Sequence, residues 1–254
     1  MSEIKDSRVR FSDRVVNYVK YRPSYPGSVV AALEESFGIT EESLIADVGS
    51  GTGKLSEAFL ENGYQVLGIE PNKEMREAGD KLLEKWQRFE SLDASAESTG
   101  LPDSSVDLII AGQSFHWFDR DLSKIEFQRI IKPNGGVALI WNERNETSPF
   151  LSAYEGFLHE NASAYGSVKH RRIDDAVFER LFSDTGYQVF QDKYQQSFDF
   201  EGLLGRYLSS SYSFNAGHPQ HSVAKLNLRA LFDRFQIGGK VRFDYKTKVY
   251  HGCV

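Results

Sequence analysis

Asp47-Val48-Gly49-Ser50-Gly51-Thr52-Gly53 places three glycines at alternate positions behind an acidic residue, directly ahead of a helical run. Glycines at this spacing allow a tight turn, let a ligand come close to the backbone and leave amide donors free, the chemistry of holding a nucleotide-like molecule. Three kinds of glycine loop compete for the segment. A phosphate-gripping P-loop needs glycine five residues before a Gly-Lys pair and Ser or Thr after it, and those positions hold Val48 and Leu55. The dinucleotide fingerprint takes Gly49 and Gly51 but meets Lys54 at its sixth position. The third kind, Asp-x-Gly-x-Gly-x-Gly after a strand, fits throughout.

Two aromatic stretches add to the loop. Gln113-Ser114-Phe115-His116-Trp117-Phe118-Asp119 supplies ring faces that attract a cation and an imidazole able to move a proton. Tyr18-Val19-Lys20-Tyr21-Arg22-Pro23-Ser24-Tyr25-Pro26 supplies a guanidinium that can fork onto a carboxylate, with tyrosines beside it.

These residues need a scaffold, and the hydrophobic pattern describes one. Short apolar runs at 43–48, 64–69, 106–111 and 136–141, with a weaker one at 87–92, read as strands. Between them, 53–61, 72–85 and 119–131 carry helical spacing and charged faces. Strand and helix in alternation predict an α/β fold: a doubly wound, Rossmann-like, mostly parallel sheet. Past Trp141 the pattern changes to helical segments over 149–184 and 201–236, with alternating strands at 189–198 and 240–251. The last of these is expected to run antiparallel and close the sheet edge, making seven strands in all. We read 1–254 as one domain, with a cofactor-binding core at 38–141 and lid or substrate-side segments at 1–37, 142–184 and 200–237.

The glycine loop and its neighbours resemble the class I S-adenosylmethionine-dependent methyltransferases, specifically their small-molecule branch, the type 11 or trans-aconitate-methyltransferase-like group. Gly68-Ile69-Glu70-Pro71-Asn72 with Met75 resembles the acidic motif after the second strand. Asp93-Ala94-Ser95-Ala96-Glu97 followed by Leu101-Pro102 resembles the adenine-side segment. Asp107-Leu108-Ile109 with Gln113 is similar to the fourth strand, and Ile131-Lys132-Pro133-Asn134-Gly135-Gly136 to the turn before strand five. The motifs stand in the family's order over residues 43–141, with Ser50 and Asn134 as mild departures.

The resemblance implies S-adenosylmethionine as cofactor, bound by Arg22, Asp47, Gly49, Ser50, Gly51, Gly53, Glu70, Pro71, Met75, Asp93, Ala94 and Gln113. Glu70, twenty-one residues past Gly49, is placed to accept both ribose hydroxyls, or else starts the helix near Asn72. Asp47 either holds the amino-acid end of the cofactor or braces the loop. Asp93 and the Ala94 amide address the adenine or form an ordinary strand-end turn, and Met75 packs on the adenine or in the core. His116 and Trp117 are the catalytic candidates, as a base and a pocket wall. The same residues would also serve a non-catalytic binding module with a partner-binding lid.

Composition sets the limits. With 254 residues, 40% of them hydrophobic, and 18 Phe, 12 Tyr and 3 Trp, the chain has ample core material. A net charge of −6 is the wrong sign for nucleic acid, so the expected partner is a small-molecule methyl acceptor, acids among the candidates, with Arg171, Arg172 and Arg206 either receiving the charge or lying on the solvated surface. One cysteine, Cys253, and six histidines without metal spacing predict no metal. The polar first residues and the absence of a run of about 18 apolar residues predict a cytoplasmic protein without membrane contact.

Overall fold

A computed structural model describes residues 14–163, 165, 175–183 and 185–254. Two helices, α1 (Val15–Tyr21) and α2 (Ser28–Phe37), lead into β1 (Leu44–Val48), α3 (Lys54–Leu60), β2 (Gln65–Ile69), α4 (Lys73–Leu83), β3 (Phe89–Leu92) and β4 (Val106–Gly112). A single 3-10 turn, Phe115–Trp117, precedes α5 (Arg120–Ile130) and β5 (Ile131–Arg144). There follow α6 (Pro149–Asn161), α7 (Asp175–Leu181), β6 (Gln188–Phe198), α8 (Phe200–Leu208), α9 (His221–Phe235) and β7 (Val241–Gly252). Among the described residues no helix is long and apolar enough to cross a membrane.

The seven strands form one sheet in the order β3-β2-β1-β4-β5-β7-β6. β1 lies parallel to β2 on one side and β4 on the other, and the chain reverses its direction of winding there. The crevice beyond the carboxyl ends of β1 and β4 is therefore the topological switch point, the place where open α/β sheets bind ligands.

Alternation along the strands sorts the core into two layers. Ile45, Val66, Leu108, Ile110 and Ile140 pack against Val29, Val30 and Leu33 of α2 and Leu55 and Phe59 of α3. Ala46, Val48, Ile69, Ile109 and Leu139 pack on the other face with Phe127 and Ile130 of α5 and Phe178 and Leu181 of α7. Helices on both faces explain why β1 and β4 read as nearly continuous apolar runs rather than alternating ones.

A third cluster stands apart. Phe150, Tyr154 and Phe157 of α6, Leu203 and Tyr207 of α8, and Leu228 and Phe232 of α9 gather around Phe243 and Tyr245 of β7. Register fixes where that cluster lies: Arg144, the last residue of β5, pairs with Tyr245, so the first residues of β7 project past the carboxyl end of the parallel strands. The three helices thus form a cap on the same side as the switch-point crevice.

The sheet corrects two expectations. The strand predicted to close the edge, β7, lies inside it, paired antiparallel with β5 and with β6, and β6 is the edge. β5 extends well beyond 136–141 because β7 continues to pair with it as far as Arg144. Its first residues form a bulge, since Val106 pairs with Ile131 but Leu108 with Gly136, leaving 132–135 out of the ladder. The helical segments expected over 201–236 are present as α8 and α9. Parts of the expected segments 1–37 and 142–184 lie outside the described residues.

Candidate active site

β1 delivers the chain to the loop with Gly49, Gly51 and Gly53 at φ 69°, 58° and 75°, the left-handed region that favours glycine. Steric room matters as much as conformation: a Cβ on Gly49 would sit 2.6 Å from the Cβ of Ser114, and one on Gly53 2.4 Å from Cδ1 of Leu83. Gly49→Ala combines backbone strain with overpacking and is expected to cost about 2–4 kcal/mol, read from urea denaturation. A loss below 0.5 kcal/mol, on the order of an ordinary surface change, would contradict the close packing of the loop against Ser114.

The loop's amides are not free, contrary to expectation. Gly49 and Ser50 donate to the carbonyl of Ile69, at 2.8 and 3.1 Å, and Gly53 donates to that of Ser50 at 2.9 Å. Gly51 donates to Oε2 of Glu70 at 2.8 Å. The tight turn consumes its own donors because residues 49–51 fold back over the end of β2.

What the loop leaves open is side-chain oxygen. Asp47 is fully buried; its Oδ2 accepts from the Ser56 hydroxyl at 2.7 Å, while Oδ1 has no partner among the described residues. Burial pushes the Asp47 carboxyl up to about 7, against the Ser56 hydrogen bonds, which lower it, and with help from the charge of Glu70. Thr52, which the motifs did not single out, likewise carries a buried Oγ1 with no partner among the described residues. Both residues line a cleft of about 330 Å³, a size suited to small ligands.

That cleft brings together much of what the sequence proposed. Gly49, Ser50 and Gly51 line it with Arg22, Tyr18, Tyr25, Gln113, His116 and Trp117. Gln113 holds φ 59°, a left-handed conformation uncommon outside glycine, where its amide donates to Ile140 and its side chain to the carbonyl of Asn142. Arg22 follows α1 and points its Nη2 at the Ser209 carbonyl and the Ser210 hydroxyl, 3.1 and 3.3 Å away. Its Nε is buried with no partner among the described residues. His116 and Trp117 form a tilted ring pair with centroids 4.9 Å apart.

The residues expected on the adenosine side lie outside the cleft. Glu70 accepts Gly51 N on one oxygen and Asn72 N on the other, each at 2.8 Å, so it braces the loop and the start of α4 together. Met75 is buried, with its Cε 3.3 Å from where a Cβ on Gly51 would be, beneath the loop as core. Asp93 is largely exposed and pairs with Arg76 at 2.8 Å. The Ala94 amide donates to Leu92 at 3.1 Å, an ordinary strand-end turn, and so is committed locally. Pro71 follows Glu70 on the approach to α4.

Sequence reasoning passed over the end of β5. Trp141, Asn142 and Arg144 line the cleft, as do Tyr165 and Tyr212. Asn142 ties three segments together: its Nδ2 donates to the Ser24 carbonyl at 2.9 Å and its Oδ1 accepts from Thr247 at 2.6 Å, while its carbonyl receives Gln113. The available signal was the abrupt polar run Asn142-Glu143-Arg144 at the carboxyl end of a core strand.

Comparison with known proteins places the core. Residues 46–139 match the family described as a methyltransferase domain. An uncharacterized methyltransferase of Schizosaccharomyces pombe is 34% identical over 142 residues, 56% of this chain and 55% of the relative. Another uncharacterized methyltransferase, from Mycobacterium bovis, is 32% identical over 142 residues, 56% of each chain. The chain thus spans about half the length of the curated relatives it matches. A solved structure from Anaeromyxobacter dehalogenans, provisionally named a type II methyltransferase, is similar in fold with a TM-score of 0.64, 20% identity, and coverage of 92% of this chain and 98% of that one.

Proposed function

We propose that this chain is an S-adenosylmethionine-dependent methyltransferase acting on a small molecule in the cleft between the glycine loop and the helical cap. The observation that carries the reading is the buried Asp47 Oδ1, unpartnered among the described residues, beside a loop held open by positive-φ glycines. A buried carboxylate oxygen without a donor is costly, and an ammonium group such as the cofactor's resolves it. The methyltransferase-domain match over 46–139 covers the same loop.

When bound, S-adenosylmethionine supplies a methyl carbon attached to a positively charged sulfur. Asp47 holds the ammonium, and the Arg22 Nε supplies a donor for the carboxylate. Gly49, Ser50 and Gly51 let the ligand approach the backbone, and Gln113 and Asn142 hold the floor of the cleft. Glu70 keeps a second acceptor direction on each oxygen for ribose hydroxyls, and Asp93 has one carboxylate oxygen beyond its Arg76 bond. Trp117, Trp141 and the tyrosines wall the cleft, exclude water and present ring faces to positive charge. Alignment and desolvation of this kind account for about 7–11 kcal/mol of barrier in well-oriented reactions.

The acceptor is a carboxylic acid in this reading, a nucleophile already ionised at neutral pH that needs no base. An amine or phenol would give its proton to His116. The segments 14–37 and the cap helices α6, α8 and α9 form the substrate side of a single domain, and the net charge of −6 speaks against nucleic acid. A cytoplasmic setting belongs to the same reading.

Calorimetric titration with S-adenosylmethionine, S-adenosylhomocysteine and NAD, followed by transfer of a labelled methyl group to a panel of acids, amines and phenols, tests the proposal. We expect micromolar binding, on the order of −8 kcal/mol, of the two sulfur ligands and methyl transfer to an acid. Binding of NAD alone would overturn the cofactor, and tight sulfur-ligand binding with no methylated product from any class would make the chain a binding module.

A further inference from the structure

A second cavity, of about 1100 Å³, lies between α2 and the edge strand β6, toward the amino ends of the parallel strands and away from the cleft. The ladder fixes the separation. His251, which lines the cavity, pairs with Ala138, and Arg144, which lines the cleft, stands six residues further along β5, or about 20 Å at about 3.3 Å per residue. Two ties bound the cavity. The Ser28 hydroxyl donates to Oδ2 of Asp192, joining the start of α2 to β6, and the Thr185 hydroxyl donates to the Cys253 carbonyl at 2.7 Å. Bounded in this way, the cavity suits a compact molecule rather than a chain threading through it.

Its lining combines ring surface with an unspent imidazole. Phe37 and Phe190 line it, and Phe37 is held by close packing over Gly136, where a Cβ would come 2.1 Å from Cε1 of the ring. Val189, 43% exposed, extends the apolar surface. His251 is 5% exposed, meets Phe37 edge-on with ring centroids 5.7 Å apart, and makes no hydrogen bond among the described residues. Burial lowers His251 below its ordinary value, so at neutral pH the ring is uncharged, with one N–H to donate and one nitrogen to accept. Leaving both functions unmet in a buried ring is costly, and a polar group on a bound molecule removes the cost.

Electrostatics selects the sign of that molecule. Among the described residues that line the cavity, Glu35 is the one ionised side chain, and no lysine or arginine stands beside it. The last turn of α2 also lines the cavity and carries no basic residue, so the carboxyl end of the helix adds negative potential there. An anion would meet repulsion from both, whereas a cation is drawn by the carboxylate, the helix end and the ring faces together.

We propose that this cavity is a second ligand site, separate from the candidate active site, for a small aromatic amine: its ring lies against Phe37 and Phe190, a ring N–H or O–H meets the His251 imidazole, and its protonated amine faces Glu35 and the end of α2. Each feature removes a neighbouring class. An aliphatic amine leaves the imidazole unmet, a neutral aromatic ring leaves Glu35 unmet, and an aromatic acid carries the wrong charge. The site does not depend on the methyltransferase reading, since it shares no residue with the cleft.

The test is calorimetric titration of tryptamine, phenethylamine, tryptophol and indole-3-acetate into the full chain at neutral pH and fixed ionic strength, repeated on Glu35→Gln, His251→Phe and Asp47→Asn. Tryptamine is expected to bind about fivefold more tightly than tryptophol, which lacks the amine, and about tenfold or more tightly than indole-3-acetate, whose charge is reversed. Phenethylamine, which has no ring N–H, should bind about fivefold more weakly than tryptamine, the scale of one hydrogen bond, and His251→Phe should erase that difference. Glu35→Gln, a change at an exposed position, should cost tryptamine about three- to fivefold, the scale of an exposed ion pair. Asp47→Asn should leave tryptamine binding as in the wild type, because that carboxylate lies in the other cleft. Preference for indole-3-acetate, equal binding of all four molecules, binding of none, or loss on Asp47→Asn without loss on Glu35→Gln would overturn the site. His251 is buried, so each variant is followed by thermal melting, and if His251→Phe does not fold, Glu35→Gln and the comparison of the four molecules decide. No arm contains the cofactor, so a failure here leaves the methyltransferase reading untouched, and a failure of that reading leaves this site untouched.

Discussion

Asp47→Asn raises the stability of the ligand-free protein at pH 8 and weakens S-adenosylmethionine binding, opposite effects from one substitution. The folded carboxyl sits at about 7, raised by burial from 3.8. Between those values the native state holds a proton that the unfolded chain has released, so stability falls as pH rises from about 4 to 7. Above pH 7 the full cost of the buried charge applies, about 4 kcal/mol when about 1.36 kcal/mol is lost for each pH unit crossed, and that figure is an upper bound. Asparagine keeps the shape and an oxygen for the Ser56 hydroxyl, and it carries no charge to desolvate. Wild type and variant should therefore melt together at pH 4 and diverge by up to about 4 kcal/mol at pH 8, with the variant more stable.

Binding runs the other way. An ammonium that meets a neutral amide instead of a carboxylate loses about 1.5–3 kcal/mol, or about 10- to 150-fold in affinity. Wild-type affinity should also fall below pH 7, about tenfold per pH unit, as Asp47 takes a proton that the cofactor must displace. Chemical denaturation across pH and calorimetry at pH 8 check both halves. A variant that is less stable at pH 8, or that binds the cofactor as wild type does, would remove Asp47 from the role given to it.

Glu70 carries the second large effect, and it separates two functions of one carboxylate. If Glu70 served only the ribose, the ligand-free protein would not notice its loss. The structure instead has it accepting from Gly51 and Asn72, both at 2.8 Å. Glu70→Ala is expected to cost about 3 kcal/mol of ligand-free stability, from two charge-assisted bonds worth about 1.5–3 kcal/mol each with water recovering part. Glu70→Gln offers little rescue, because its NH2 end faces a backbone N–H and sets donor against donor. Both variants should weaken S-adenosylmethionine binding by tenfold or more, on the scale of one charged partner. Unchanged melting with lost binding would return Glu70 to the ribose alone.

The two residues also show how far the sequence reached. It placed a carboxylate at the end of β1 and another at the end of β2, since strand runs and glycine spacing are local signals. Glu70's role at the helix start near Asn72 was among the sequence readings, whereas its hold on the glycine loop was not visible there, because it depends on Gly51 N folding back within reach of β2. Similarly, the left-handed glycines were legible, whereas Thr52, with the same loop around it, became notable only once burial left its hydroxyl without a partner among the described residues.

By itself the sequence determined the parallel core and the glycine loop, because both follow from apolar periodicity and from conformations that few residues besides glycine adopt. Tertiary structure alone decided that β7 lies between β5 and β6, since a period-two pattern is the same for an inner strand with one face on a cap and for an edge. It alone brought Arg22, Arg144 and Arg206 into one cleft, for these residues share no local period and meet only because the cap helices pack on the projecting end of β7, above the carboxyl ends of the parallel strands.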